Sequence, residues 1–200
     1  MSIDIITEPK KHFVLDLDET LISAEPLEEY DYEKYKIKLK NFKEKPMIMD
    51  DYYIILQRPG LQKFLDFLFA NFIVSIWTAA SKDYALYIIE NIIITGHPER
   101  KIDYIFFSYH CSASKNLKNG TKDLSMLWDI YKIKGYSKEN TVILDDYEEV
   151  FNTQNDNCIV AEKFKFVNKN SENDKFLTQL IPKIKKHMLK KQFNIKEINI

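Results

Sequence analysis

Only two cysteines, Cys111 and Cys158, occur in the 200 residues. They define no disulfide framework, so the simplest setting is a reducing, intracellular one, nuclear or cytoplasmic. An excess of one charge is also missing: 29 Lys and Arg stand against 30 Asp and Glu, which gives no bulk electrostatic case for nucleic acid or acidic lipid. Long apolar runs are missing as well. The most apolar stretch, 64 to 80, is broken by Asp66 and Asn71, and Met1 to Lys11 lacks the basic-then-apolar order of a signal peptide, so neither a membrane span nor secretion is expected. Arginine is nearly absent, with Arg58 and Arg100 the only two among the basic residues.

The length suits one domain with a full core, and we expect a single domain over 1–200. Its most informative stretch is His12 to Leu21, His-Phe-Val-Leu-Asp-Leu-Asp-Glu-Thr-Leu. An apolar run ending in two carboxylates one residue apart reads as a buried parallel strand that delivers acids to its carboxyl edge, where open α/β sheets bind ligands. A chain leaving the sheet at Leu17 splays Asp16 from Asp18, which suits one attacking group and one proton donor. Residues 16 to 33 carry eight acids and no base. Such a cluster repels a phosphate unless a cation joins it, so it points to a bound metal.

Residues 22–57 read as a small β flap with strand-like pieces at 36–40 and 52–57. Arg58-Pro59-Gly60 opens a helix with Pro in its first turn and Leu61, Phe64, Leu65, Leu68, Phe69 and Phe72 on its core face. A second buried strand, 72–77, ends in Thr78-Ala79-Ala80-Ser81, small residues whose amides can approach an anion, and Ser81 also reads as the cap of a following helix. A third strand spans 103–108, and 110–120 reads as a polar loop. Thr121 reads as the N-cap of a helix bearing Leu124, Leu127, Trp128 and Tyr131, with Lys122 in its first turn, a position disfavoured for a cation unless it faces an anion. A fourth buried strand, 141–144, ends in Asp145 and Asp146. Oxygen-only ligands beside a phosphate select a hard ion, Mg²⁺. A short helix over 147–154, an edge strand over 158–162 and a terminal amphipathic helix over 172–193, kinked at Pro182, complete the reading.

In this order, Asp-Leu-Asp-Glu-Thr-Leu (16–21), Arg-Pro-Gly (58–60), Trp-Thr-Ala-Ala (77–80), Lys-Asp-Leu-Ser (122–125) and Leu-Asp-Asp (144–146) resemble the motifs of the haloacid dehalogenase superfamily, and within it the FCP/SCP-like phosphatases that act on the C-terminal domain of RNA polymerase II, the NLI-interacting-factor-like group. The resemblance covers about residues 12–165. It implies an α/β fold, a Rossmann-like core with a central parallel sheet flanked by helices and no large cap domain. It implies a phosphoserine/phosphothreonine protein phosphatase in which Asp16 attacks phosphorus to give an aspartyl-phosphate, Asp18 moves the proton, Thr20 fixes the turn that aims Asp18, and Thr78, Ala79 and Lys122 hold the phosphoryl group. Mg²⁺ is implied on Asp16, the backbone carbonyl of Asp18, Asp145 and Asp146. Tyr84 matches an aromatic residue lining the family's proline-recognising pocket. The implied partner is a phosphorylated protein such as the polymerase tail, with no direct nucleic acid and no membrane.

One departure stands out. Where small members of the group often carry an Arg after the third strand, this chain has Ser108, and a flexible Lys such as Lys115 or Lys118 does not reproduce a bidentate guanidinium. His110-Cys111 has no second ligand pair behind it, so zinc is not expected. Two other readings compete: a catalytically weak phosphopeptide-binding scaffold on the same fold, and a phosphatase for nucleotides or nucleic-acid ends.

Overall fold

Five parallel strands form the centre of the molecule, in the spatial order Ile102–Phe106, Ile73–Trp77, His12–Leu15, Thr141–Asp145 and Cys158–Val160. The computed structural model describes residues 10–27, 32–188, 190 and 194–199, with backbone alone at 32–35 and 188. Strands β1 (His12–Leu15), β5 (Ile73–Trp77) and β7 (Thr141–Asp145) are short and almost wholly buried, as central strands covered on both faces must be, while the edge strands β6 (Ile102–Phe106) and β8 (Cys158–Val160) expose Asp103, Tyr104 and Val160. Register pairs Leu15 with Ile76 on one side and Leu144 on the other. The chain therefore leaves the three central strands at one edge, at Asp16, Trp77-Thr78 and Asp145-Asp146.

Alternation along the strands divides the core into two layers. Phe13, Leu15, Val74, Ile76, Val142 and Leu144 face the larger layer, shared with helix α2 (Leu61–Asn71), helix α3 (Lys82–Ile88) with its π-helical extension Ile89–Ile93, helix α6 (Phe176–Met188) and the short α7 (Ile195–Ile198). Val14, Trp77 and Ile143 face the smaller layer, with Cys111 of α4 (Ser108–Lys118), Met126 and Leu127 of a π turn (Met126–Ile130) and Val150 of α5 (Glu148–Thr153). The expected α/β architecture is thus the observed one. Leu177, Leu180, Ile181 and Ile184 of α6 are buried in the larger layer while Lys185 and Lys186 point out, so the amphipathic terminal helix packs on its own chain. Of its expected span, 189 and 191–193 lie outside the described residues. Among the described residues no helix is long and apolar enough to cross a membrane.

The flap is a three-stranded antiparallel sheet, β2 (Ile22–Pro26), β4 (Tyr53–Gln57) and β3 (Met47–Met49), plus helix α1 (Tyr32–Leu39). The strand expected at 36–40 is therefore helix. Lys and Leu are good helix formers, and the apparent alternation of Lys36 to Lys40 does not mark one buried face: Leu39 is buried but Ile37 is 76% exposed. Leu39, Phe42, Ile54 and Leu56 close a small core with Phe164 and Phe166, which arrive from beyond β8.

Other boundaries shift for identifiable reasons. Pro59 precedes α2 instead of entering it, because Gly60 occupies the N-cap with φ 81°, a conformation natural to glycine. A Cβ there would also lie 2.5 Å from Thr178 Cγ2. The segment read as a polar loop, 110–120, is helix α4. Its buried face is made of small residues, Cys111 and Ser114, so it shows no apolar stripe, and its ends are fixed by His110 Nδ1, which accepts from Phe107 N at 2.9 Å, and by Asn119 in the left-handed region.

Candidate active site

The chain turns sharply after Leu17. Leu21 N and Ile22 N both donate to the Leu17 carbonyl, at 2.8 and 3.1 Å, and Glu19 sits at φ 57°. This loop separates the two acids as expected. Asp16, buried, turns toward Lys122 and β7, whereas Asp18 turns toward α3 and the flap.

Lys122 Nζ lies 2.6 Å from Asp16 Oδ1 and 2.7 Å from Asp145 Oδ2, all three side chains being buried. The sequence placed Lys122 at a helix start under a Thr121 cap, and that is corrected: Lys122 lies in a loop at φ 49°, and Thr121 Oγ1 donates to Glu149. A left-handed Lys is uncommon and needs support from its surroundings. Ser114 Oγ donates to Gly120 O at 2.6 Å and accepts from Asp123 N at 2.9 Å, while the Gln154 amide donates to Lys122 O at 2.9 Å and accepts from Leu124 N at 2.7 Å. Ser114 and Gln154 were not singled out in the sequence, and no short motif marks them.

Burial pulls the Lys122 ammonium down, but Asp16 and Asp145 outweigh it and hold it well above its ordinary range. Burial raises Asp16 strongly, opposed by Lys122 and reinforced by Asp145; Asp145 is raised for the same reason. Asp145 Oδ1 also accepts from Tyr147 N at 2.9 Å. Thr20 was expected to aim Asp18. Its hydroxyl instead faces Asp16 Oδ2 at 3.1 Å and Asp146 Oδ1 at 2.9 Å, and with one proton it can donate to only one of them at a time. Lys163 Nζ approaches Asp146 at 3.4 Å and Glu19 at 3.0 Å. It is a second cation at this edge that the sequence did not reveal, since it lies on an irregular segment beyond β8.

Carboxylate oxygens of Asp16, Asp145 and Asp146 lie within 4.8 Å of one another. Four acids, counting Asp18, surround one buried Lys, so the edge carries surplus negative charge on oxygen donors. That set fits a hard divalent cation.

Asp18 receives the Tyr84 hydroxyl on Oδ1 at 2.5 Å. Burial raises its carboxyl above the ordinary range, with Tyr84 and then Lys122 pulling it back. Burial and the nearby Asp18 push the Tyr84 phenol up, so it stays a donor. Tyr84 and Tyr53 meet edge to face at 5.7 Å, and with Met49 and Ala24 they wall a cleft of about 560 Å³ opening beside Asp18.

Thr78 is buried at the end of β5, anchored by Thr78 N donating to Phe106 O at 3.0 Å, and its Oγ1 accepts from Ala80 N at 3.1 Å; Ala79 is exposed on the turn. Ser81 caps α3 by accepting from Tyr84 N at 3.4 Å. Ser108 begins α4, and its N donates to Ala80 O at 3.0 Å, so the residue at the missing-Arg position contacts the Thr78 turn only through backbone. Lys115 and Lys118 pair with Glu149 and Asp129.

A family model described as NLI interacting factor-like phosphatase matches residues 11–195. The CTD phosphatase-like protein 355R of Invertebrate iridescent virus 6 is 46% identical over 182 residues, which cover 89% of this chain and 99% of that protein. Its namesake in Invertebrate iridescent virus 3 is 43% identical over 171 residues, covering 82% and 90%. Among solved structures, fission yeast RNA polymerase II CTD phosphatase Fcp1-R271A bound to beryllium fluoride matches with a TM-score of 0.54 at 17% identity over 94% of this chain and 53% of that one. A structure of Fcp1, an essential RNA polymerase II CTD phosphatase, matches at 0.52 and 20% identity over 88% and 48%. The chain thus spans about half the length of the solved structures it matches, and at these identities they speak for the fold alone. With the family model spanning nearly the whole chain and two full-length relatives above 40% identity, this chain belongs to the NLI interacting factor-like phosphatase family, on a haloacid dehalogenase-type fold.

Proposed function

We propose that this protein is a Mg²⁺-dependent phosphoserine/phosphothreonine protein phosphatase that works through an aspartyl-phosphate. The observation that carries the reading is the pair of acids on one loop with opposite surroundings: Asp16 held 2.6 Å from a buried ammonium, Asp18 raised by burial and held by a phenol. Burial raises both carboxyls, but Asp16 faces an ammonium that favours its anion and opposes the rise, whereas Asp18 is met by a neutral phenol and can hold a proton nearer neutrality.

In the first half-reaction an Asp16 oxygen bonds to phosphorus as the bond to the seryl or threonyl oxygen breaks, and the Asp18 proton passes to that oxygen. In the second, water attacks phosphorus, gives its proton to Asp18, and the bond from phosphorus to Asp16 breaks. Lys122 offsets the charge of nucleophile and phosphate, and Thr78 with the Ala79 amide holds phosphoryl oxygens in a loose transition state. Asp16, Asp145, Asp146 and the Asp18 carbonyl would hold Mg²⁺, which supplies electrostatic relief between the phosphate and the anionic edge. Thr20 steadies Asp16 and Asp146.

The flap leaves the cleft beside Asp18 open to a chain segment, which favours a phosphorylated protein. The Tyr53 and Tyr84 rings offer a wall for a proline next to the phosphoresidue, so Ser-Pro and Thr-Pro sites such as those of the RNA polymerase II tail are the proposed substrates. The test is phosphate release from a Ser-Pro phosphopeptide of that tail. Turnover lost with EDTA and with Asp16→Asn is expected. A folded, Mg²⁺-loaded protein inert on both this peptide and a small aryl phosphate would replace the enzyme reading with a phosphopeptide-binding one.

A further inference from the structure

Tyr84 reaches the site in two ways at once. Its ring lines the cleft, while its hydroxyl donates to one oxygen of Asp18 at 2.5 Å, the short distance of a charge-assisted O–H···O contact. The phenol is anchored from below, because Tyr84 N donates to the Ser81 cap and α3 continues into a buried apolar stripe. Tyr53, across the cleft, touches Tyr84 through its ring and makes no hydrogen bond to Asp18 among the described residues.

A carboxyl that must hand over a proton needs that proton on one defined oxygen. A phenol that always donates can occupy only an unprotonated oxygen, so Tyr84 reserves Oδ1 as an acceptor and leaves the other oxygen of Asp18 to carry the proton. The same contact fixes the carboxyl plane, which otherwise rotates broadly about its last torsion. We infer that Tyr84 is the positioning residue for Asp18, selecting the oxygen from which the proton reaches the departing group, and that it does so in addition to lining the substrate cleft. This inference rests on the phosphatase reading above.

Proton donation matters in proportion to the basicity of the departing oxygen. A seryl alkoxide cannot leave without a proton, whereas a nitro-substituted phenolate leaves almost unaided. Loss of positioning must therefore show as a difference between two substrates, which loss of packing would not produce.

The experiment compares wild type, Tyr84→Phe and Tyr53→Phe on a phosphoserine peptide and on 4-nitrophenyl phosphate with Mg²⁺, with Asp16→Asn and Asp18→Asn as references and a thermal melt for each. Tyr84→Phe should lower kcat/KM on the peptide by roughly ten- to hundredfold, part of the 10²–10⁴ that positioned acid catalysis supplies, and change kcat/KM on the nitrophenyl ester by less than about threefold, since kcat/KM reports the first half-reaction, the one in which the departing oxygens differ. Tyr53→Phe should treat the two substrates alike. Equal losses on both substrates for Tyr84→Phe, or no loss on either, overturn the inference while leaving the phosphatase reading intact if Asp16→Asn is inactive. Activity retained by Asp16→Asn removes Asp16 as the nucleophile of the proposed mechanism, and folded wild type inert on both substrates sinks the phosphatase reading itself. Should Tyr84→Phe fold poorly, 3-fluorotyrosine at position 84 keeps the shape and changes only donor strength, and an unchanged peptide-to-ester ratio would overturn the inference.

Discussion

The sheet carries two polar clusters, one buried and one reaching solvent, that obey opposite rules. At the carboxyl edge, Asp16, Asp145 and Asp146 crowd around Lys122 and Thr20 with more negative charge than the protein neutralises. Toward the amino-terminal side, Tyr136 Oη lies 2.7 Å from Ser75 Oγ and donates to Asp103 Oδ2 at 2.7 Å, Ser75 Oγ accepts from Tyr104 N at 3.2 Å, and His12 lies against the Tyr136 ring at 3.7 Å between centroids. The second cluster runs from buried Ser75 and Tyr136 to the exposed carboxylate of Asp103, so its one charge meets solvent. The first is left with surplus carboxylate charge, which is where the proposed Mg²⁺ would sit.

The largest effects should come from breaking the carboxyl edge. Asp16→Asn is expected to reduce phosphate release by more than about 10³-fold, since it removes the proposed nucleophile, as steady-state assays on the Ser-Pro peptide would reveal. Lys122→Met should cost about 10²–10³-fold in kcat, the scale for losing a preorganised electrostatic donor; a loss under fivefold would mean that Lys122 only neutralises its neighbours. On the other side, Tyr136→Phe should cost about 1 kcal/mol in urea unfolding by leaving the buried Ser75 hydroxyl without its acceptor, with kcat unchanged. Were kcat to fall in step with stability, the two clusters would not be independent.

Asp18→Asn gives an inversion. Because Asp18 is raised in the fold by burial, its ionised form is disfavoured there relative to the unfolded chain, so neutralising it should raise Tm in EDTA at pH 7. The gain should shrink as pH falls toward the unfolded carboxyl range near 4 and both states bind the proton. The smallest effect concerns His12, which burial lowers against the pull of Asp103. A base lowered in the fold binds more protons when unfolded, so its contribution is present above about pH 6.5 and fades as pH falls below it. Subtracting the melts of His12→Gln from wild type between pH 5 and 8 should isolate that slope, and a flat difference would show that His12 stays solvated.

How far the sequence reached depends on the physical basis of each element. Asp16, Asp18, Thr78 and Asp145-Asp146 were legible because buried strands announce themselves as apolar runs and deliver the residues after them to one edge. Helix α4 was not legible, since a face of Cys and Ser packs without looking apolar. Lys122 was found for a reason that proved mistaken: it meets its anions from a left-handed loop supported by Ser114 and Gln154, side chains that tertiary contact alone recruits. Thr20 was placed correctly on the loop but bonds Asp16 and Asp146 rather than Asp18. Tyr84 was read as a cleft wall, and only the folded chain puts its hydroxyl on Asp18.

Arg58 is one of only two arginines in the chain. Fully buried, it donates to the carbonyls of Thr20 and Glu162 and pairs in a fork with Asp174, while the Phe176 ring lies 4.4 Å beneath it. The loop that carries both acids is therefore fastened by a residue 116 positions further along than its own anchor. At ribosomal rates of about 5–20 residues per second, that leaves roughly 6 to 23 s during synthesis in which the guanidinium has no counterion and the loop no final support. The loop that carries both acids thus gains its final support only after Asp174 has been made.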